Sequence, residues 1–281
     1  MKATAKNNSK RSFNPFVVIL LIFLVVLSLF PVYWTLNTSL KTQMEIYSMT
    51  PSLWPPSPTM DSYYDLIFKR GYLNSLFNSI FVSLIVTVGS IFLSSLAGYA
   101  FARLNFRKKH MLNNGILYSY LMPRSILFIP LYVLVTYLGL KDSLWGLIVI
   151  YPTFTIPYAT WMLTSYFRSI PLAMEEAAEI DGCGRLRSMF QIVFPLAAPG
   201  IAATATFAFT LCWSEYMYAL VVISKSELKT LTLALSDMVV ADVYAWGPLM
   251  AGSIVATLPV LVMYMSMSKY MVSGLTLGAV K

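Results

Sequence analysis

The chain has 281 residues, of which 58% are hydrophobic and only 11% charged, with a mean hydropathy of +0.68. Water-soluble globules carry about a quarter charged residues, so this composition excludes one and specifies a polytopic membrane protein. The formal charge of +8 does not point to nucleic acid, because the basic residues sit at the ends of apolar runs without interleaved aromatics.

A helix needs roughly 20 apolar residues to cross the hydrocarbon core. Six segments meet that length: Phe16 to Leu36, Leu76 to Ala102, Leu112 to Val135, Leu144 to Phe167, Pro195 to Ile223 and Pro248 to Tyr270. The expected fold is therefore all-α with six transmembrane helices. The first segment follows Lys2, Lys6, Lys10 and Arg11, as a signal peptide would. Its apolar stretch is too long for a signal, and Trp34, Asn37 and Leu40 leave no small-x-small cleavage site, so it reads as an uncleaved anchor.

Alternate ends of the six segments differ in charge. One set holds thirteen of the 20 lysines and arginines, including Arg103, Arg107, Lys108, Lys109, Arg168, Arg185, Arg187, Lys269 and Lys281. The other set holds six: Lys41, Lys69, Arg70, Lys141, Lys225 and Lys229. Basic loops stay inside, so both termini are expected in the cytoplasm. The first external connection, "SMTPSLWPPSPTMDSYYDL", has no helical period and reads as an ordered surface loop, with Trp54, Tyr63 and Tyr64 at the membrane interface. Residues 1–72 then form an N-terminal tail, first helix and external loop, and residues 73–281 a five-helix core with a cytoplasmic loop at 168–194.

Within the fourth segment Tyr151, Phe154, Tyr158 and Trp161 recur on one helical face, a pattern that serves ordinary packing or a stacking surface for sugar rings. Pro152 and Pro157 are expected to kink this helix. Two charges fall inside spans, Arg124 in "LYSYLMPRSILFIPLY" and Glu215 in "LCWSEYMYAL". Each costs at least about 2.5 kcal/mol at that depth unless paired or wet, so both are expected to face the bundle interior. Arg124 either reads a polar or anionic group on a cargo or pairs with Glu215 or a helix carbonyl. Glu215 is assigned a structural or gating role.

Cys183 and Cys212 form neither a disulfide framework nor a metal spacing. The single histidine, His110, has no carboxylate or cysteine partner. No catalytic or metal-binding residue is therefore assigned, and a membrane enzyme is disfavoured. An ion-coupled secondary transporter is kept as the second class, against which stand the missing inverted repeat and the lack of a buried carboxylate chain.

The loop at 168–194 opens with "SIPLAMEEAAEIDG", the most acidic stretch of the chain. Pro171 suits the first helical turn, Glu175 and Glu176 follow near its positive end, and Gly182 suits the left-handed conformation that ends it. Ala173, Ala177 and Ala178 are small enough for another surface to approach closely. "RLRSMFQIVFP" then leads back to the membrane, so the pair reads as an elbow that either docks a partner or caps the bundle.

The stretch "EEAAEIDGCGRLRSMFQIVFPLAAPG" resembles the cytoplasmic EAA signature of binding-protein-dependent ABC importer permeases, matching at Glu176, Ala177, Ala178, Asp181, Gly182, Ile192 and Pro195. Cys183 stands where alanine is usual and Phe194 where leucine is common. "SLAGYAFARLNFRKKH", "LGLKDSLWGLIVIYPTF", "WSEYMYALVVIS" and the terminal "SGLTLGAVK" resemble the smaller six-helix permease of maltose-type carbohydrate importers.

The resemblance implies a type I ABC importer permease in a bacterial or archaeal plasma membrane. Its implied partners are a second permease, two cytoplasmic ATPase subunits and an external solute-binding protein. The chain has no GxxxxGK[ST] loop, so ATP and Mg are expected on the partner ATPase. Glu175, Glu176, Ala177, Ala178, Asp181, Gly182, Phe190, Ile192 and Pro195 are the implied ATPase-coupling residues, and Thr276, Gly278 and Lys281 a C-terminal ATPase contact. The expected carbohydrate path draws on Arg124, Tyr151, Phe154, Tyr158, Trp161, Trp213, Glu215 and Tyr216.

Overall fold

A computed structural model of the chain describes residues 15–240 and 243–278. In chain order its helices are α1 (Pro15–Ser39), α2 (Gln43–Ile46), α3 (Asp61–Tyr64), α4 (Tyr72–Arg103), α5 (Lys109–Leu121), α6 (Arg124–Tyr137), α7 (Leu144–Ile150) and α8 (Pro152–Ser169). There follow α9 (Ala173–Ile180), α10 (Arg185–Ser188), α11 (Phe194–Leu196), α12 (Ala198–Trp213), α13 (Met217–Val222), α14 (Leu231–Ser236) and α15 (Trp246–Gly278). The expectation of an all-α chain is corrected at one place. Val239–Val240 (β1) pairs antiparallel with Val243–Tyr244 (β2), a local ribbon of β-branched and aromatic residues before α15.

Four stretches are long and apolar enough to cross a membrane unaided: α1, α4, α7 with α8, and α15 as far as Tyr270. The expected third span is instead a bent pair, α5 with α6 at 97°; a second bend, of 75° between α10–α11 and α12, falls where the expected fifth span begins, and that span is interrupted again between α12 and α13. The sharper bend has a local cause. Pro123 has no N–H to donate and forces Met122 out of the helical region, to φ −66° and ψ 132°. The prolines of the fourth span act more gently than expected. Pro152 opens α8 in its first turn and Pro157 lies within it, yet α7 and α8 run on as one 26-residue stretch.

The centre of the bundle is the packing of α4 on α8, with α12 against both. Small polar residues on α4 permit the close approach. Ser90 and Thr155 share a hydroxyl hydrogen bond of 2.6 Å, and Ser94 donates to the Ile156 carbonyl at 3.2 Å. A Cβ on Gly98 would come within 3.1 Å of the Thr164 nitrogen, so the two backbones nearly touch there. α1 buries nothing across its apolar window and packs chiefly on α15.

The first long connection is ordered, as expected, but contains more helix than its sequence pattern suggested. Thr42 and Glu45 form a reciprocal capping box on α2. Lys41 Nζ donates to the Ser52 carbonyl at 2.7 Å and lies over the Trp34 ring. At this end of the bundle the first turns of α4 grip the segment before α14. Asn78 Nδ2 donates to the carbonyls of Glu227 (2.9 Å) and Lys229 (3.0 Å), Asn74 also donates to Glu227, and Ser79 Oγ accepts from the Leu231 amide at 2.7 Å.

Candidate coupling loop and translocation cavity

At the opposite end, α9 is a two-turn helix with two distinct sides. It begins at Ala173, two residues beyond Pro171, with Glu175 and Glu176 in its first turn. Its end is a Schellman closure: the Cys183 amide donates to the Ala178 carbonyl at 2.9 Å and the Gly182 amide to the Glu179 carbonyl at 3.1 Å. Gly182 takes φ +84°, so the expected left-handed stop is present.

Glu175 and Ala178, each 5% exposed, face the bundle rather than outward. Tyr99 donates to Glu175 Oε2 at 2.8 Å, and Arg103 pairs with Glu175 Oε1. Arg103 also donates to the Ile170 carbonyl at 2.8 Å, which fixes the start of the loop as well as the helix. α9 is thus tied to the last turn of α4 through a buried carboxylate. Neither Tyr99 nor Arg103 was among the sequence candidates. Their i, i+4 spacing in "YAFAR" puts them on one helical face, a signal available in the sequence.

The other side of the loop is bare. Glu176, Ala177, Asp181, Gly182 and Pro195 are exposed, and Ile192 is half-buried. Around them lie large apolar side chains open to solvent: Leu172, Ile180 (86% exposed), Leu186 and Phe190. Of the C-terminal candidates, Thr276 and Gly278 fall in the last turns of α15 and Lys281 lies outside the described residues.

Within the bundle, Arg124 and Glu215 both sit at interruptions of a helix. Arg124 is the first residue of α6, immediately after the Pro123 break; α5 rises about 20 Å before that point. Glu215 lies in the gap between α12 and α13. Its carboxylate closes that gap, accepting from the amides of Tyr218 (3.0 Å) and Ala219 (3.2 Å) and from the Tyr151 hydroxyl (3.0 Å). Thr232 donates to its carbonyl at 2.7 Å. Glu215 therefore ties the end of α12 to the start of α13.

The pairing of Arg124 with Glu215 or a helix carbonyl does not occur among the described residues. Its guanidinium instead lies over the Phe154 ring, 4.6 Å from the centroid. The Tyr218 hydroxyl donates to the Arg124 carbonyl at 2.9 Å, tying α13 back to the start of α6. A cavity of about 380 Å³ opens beside this junction, lined by Arg124, Phe128, Glu215, Tyr216 and Tyr218 among others. A second, of about 150 Å³, lies on the Phe154 side of Arg124.

The aromatic stripe does not act as one surface. Tyr151 and Phe154 are buried in the core, and Tyr158 stacks between Phe207 (4.2 Å) and Tyr120 (5.7 Å). Trp161 is exposed, and Trp213 is buried against Phe209. Only Phe154 and Tyr216 of the expected aromatic path residues reach a cavity described here.

Broken helices that place charged residues beside a cavity are an arrangement found in membrane transporters. Residues 11–275 match the family described as binding-protein-dependent transport system inner membrane component, and the chain belongs to it. It is 36% identical over 266 residues to the inner membrane ABC transporter permease protein YcjP of Escherichia coli (strain K12), covering 93% of this chain and 94% of that one. It is 36% identical over 259 residues to the sulfoquinovosyl glycerol transport system permease protein SmoH of Agrobacterium fabrum, covering 92% and 90%. The trehalose transport system permease protein SugB of Mycobacterium tuberculosis is 33% identical over 256 residues, covering 90% and 93%. A bacterial ABC transporter that imports the acidic polysaccharide alginate has the same fold, with TM-score 0.76 and 22% identity over 95% of this chain and 99% of that one.

Proposed function

We propose that this multi-pass inner-membrane protein is one permease of an ATP-driven carbohydrate importer. It passes a saccharide between its broken spans and meets a cytoplasmic ATPase through the loop around α9. The carrying observation is the two-sidedness of that loop. A helix roped to α4 by Glu175, with Leu172, Ile180, Leu186 and Phe190 left bare on the outer side, is suited to receive a partner and pass its movement inward. The naming of SmoH and SugB as permeases of sulfoquinovosyl glycerol and trehalose transport systems supports a saccharide cargo.

In this reading six spans place both termini in the cytoplasm, a second permease completes the path, and an external binding protein delivers the solute. Two ATPase copies bind ATP and Mg. Glu176, Ala177, Asp181, Gly182, Phe190, Ile192 and Pro195 form the ATPase contact, with Thr276, Gly278 and Lys281 contributing from the C-terminus, while Glu175 and Ala178 hold α9 in place. ATP on the partner and a loaded binding protein favour the same state of the bundle; moving a 1:99 population to 99:1 takes about 5.5 kcal/mol of differential binding.

The test is gentle affinity purification from native membranes, mass identification of what accompanies the chain, and ATP hydrolysis measured with and without the external fraction. An ATPase, a second permease and a stimulating binding protein are expected. Purification of the chain alone, or uptake driven by a proton or sodium gradient without ATP, would overturn the reading. Sidedness is checked by Cys183, which is half-exposed in the loop while Cys212 is buried. A membrane-impermeant maleimide is expected to label Cys183 in inverted vesicles and not in right-side-out ones.

A further inference from the structure

The carbohydrate reading leaves the charge of the cargo open, and the surroundings of Arg124 bear on it. Arg124 is exposed at its break, and no acceptor for its guanidinium N–H groups and no ion-pair partner occurs among the described residues. The other charged group on the larger cavity, Glu215, has both carboxylate oxygens engaged by Tyr151, Tyr218 and Ala219. The smaller cavity is lined by no charged group other than Arg124. Arg124 is therefore the one charged group lining the smaller cavity, and on the larger it stands beside Glu215, whose carboxylate is held by neutral donors and not by the guanidinium. A guanidinium with its N–H groups open beside a cavity favours an occupant that brings negative charge.

The geometry states what kind of occupant. With Phe154 beneath the guanidinium, the ring covers part of the cation and supports its orientation. A guanidinium so held keeps in-plane N–H pairs at its edges, the fork that binds two oxygens of one anionic group. Phe128 and Tyr216 line the same larger cavity and give it the aromatic wall that suits a sugar body. About 380 Å³ falls within the range of small-molecule sites.

Resting on the carbohydrate reading, we propose that Arg124 is an anion subsite and that the cargo is an acidic saccharide bearing a carboxylate or sulfonate. Arg124 grips the two oxygens of that group, Phe154 supports the guanidinium from behind, and the sugar ring lies toward Phe128 and Tyr216. Glu215 takes no part in the grip, because its oxygens already close the gap before α13.

The experiment uses the complete complex of this chain with its partner permease and ATPase in lipid nanodiscs. Equilibrium binding of a radiolabelled hexuronate disaccharide is compared with that of the corresponding neutral hexose disaccharide, and uptake of both is followed in proteoliposomes with the binding protein. Preference for the hexuronate is expected in the parent complex. Arg124→Gln is expected to weaken hexuronate binding about 10- to 100-fold, the range for loss of a charge-assisted pair, and Arg124→Lys to weaken it less because charge remains while the fork is lost. Affinity for the neutral disaccharide is expected to fall by a smaller factor than that for the hexuronate in both variants.

Equal affinity of the parent complex for the two disaccharides, or equal weakening of both by Arg124→Gln, would overturn the proposal while leaving the importer reading intact. Release of the partner permease by Arg124→Gln would also overturn it, by showing that Arg124 pairs across the subunit interface. A parent complex without ATP-dependent uptake of any saccharide would overturn the carbohydrate reading, and this proposal with it.

Discussion

Glu175 and Glu176 are adjacent and chemically identical, and the fold gives them opposite tasks. Glu175 is enclosed by Tyr99 and Arg103, while Glu176 points away from the bundle. Removing one member of a buried ion pair leaves the other charge desolvated and costs about 3–5 kcal/mol. Glu175→Ala is therefore expected to lower the thermal unfolding midpoint of the purified permease, and Glu176→Ala to leave it in place; reversing both charges, Glu175→Arg with Arg103→Glu, is expected to recover part of the loss. Equal midpoints for the two alanine variants would show that the buried tie contributes nothing. Gly182 offers a cleaner probe, since a Cβ there meets no atom within 4 Å. Gly182→Ala is expected to cost only the left-handed backbone penalty, about 1 kcal/mol, and to loosen ATPase association in a pull-down by up to about fivefold. Complete loss of association would mean that the partner packs so closely on Gly182 that not even a methyl group is accommodated.

At the scale of elements, helix existence was legible from hydrophobic runs, whereas helix continuity was not. The six expected spans all lie over helical sequence, yet the third is a bent pair and the fifth is interrupted, because the run of apolar residues counts length and is blind to direction. Pro123 was the readable cause of one bend. The gap between α12 and α13, residues 214–216, had no proline to mark it; its one sign was the charge of Glu215, and only the fold shows that side chain capping the second piece. The aromatic stripe failed for a related reason, since helical spacing places side chains on a face without saying what that face meets. One connection carries a pH dependence. Asp142, between α6 and α7, accepts from the amides of Ser224 and Lys225, and these bonds, the one from Ser224 foremost, hold its carboxyl below the usual 3.8. A depressed folded value means that the stabilisation is present above about pH 3.8 and is lost as pH falls through the lower folded value. Protection factors for the Ser224 and Lys225 amides, corrected for intrinsic exchange, are expected to be pH-independent from 7 to 5 and to fall toward pH 3. Asp142→Asn is expected to remove that fall; unchanged protection at pH 3 in the parent protein would refute the link.

Over the whole molecule, α4 joins features that lie far apart. One end carries Tyr99 and Arg103, and with them α9; the other carries Asn74, Asn78 and Ser79, and with them the segment leading into α14. Between them its serines and Gly98 lie close against α8, which stiffens the rod. A helix of 32 residues is about 48 Å long. Fixed at both tips, such a rod acts as a lever: a tilt of about 5° carries one end roughly 4 Å relative to the other over that length. If a partner displaces α9, as the proposed function has it, such a tilt would bring that displacement to the Asn74 end of the rod at the scale of an atom's diameter or more, without any helix having to melt.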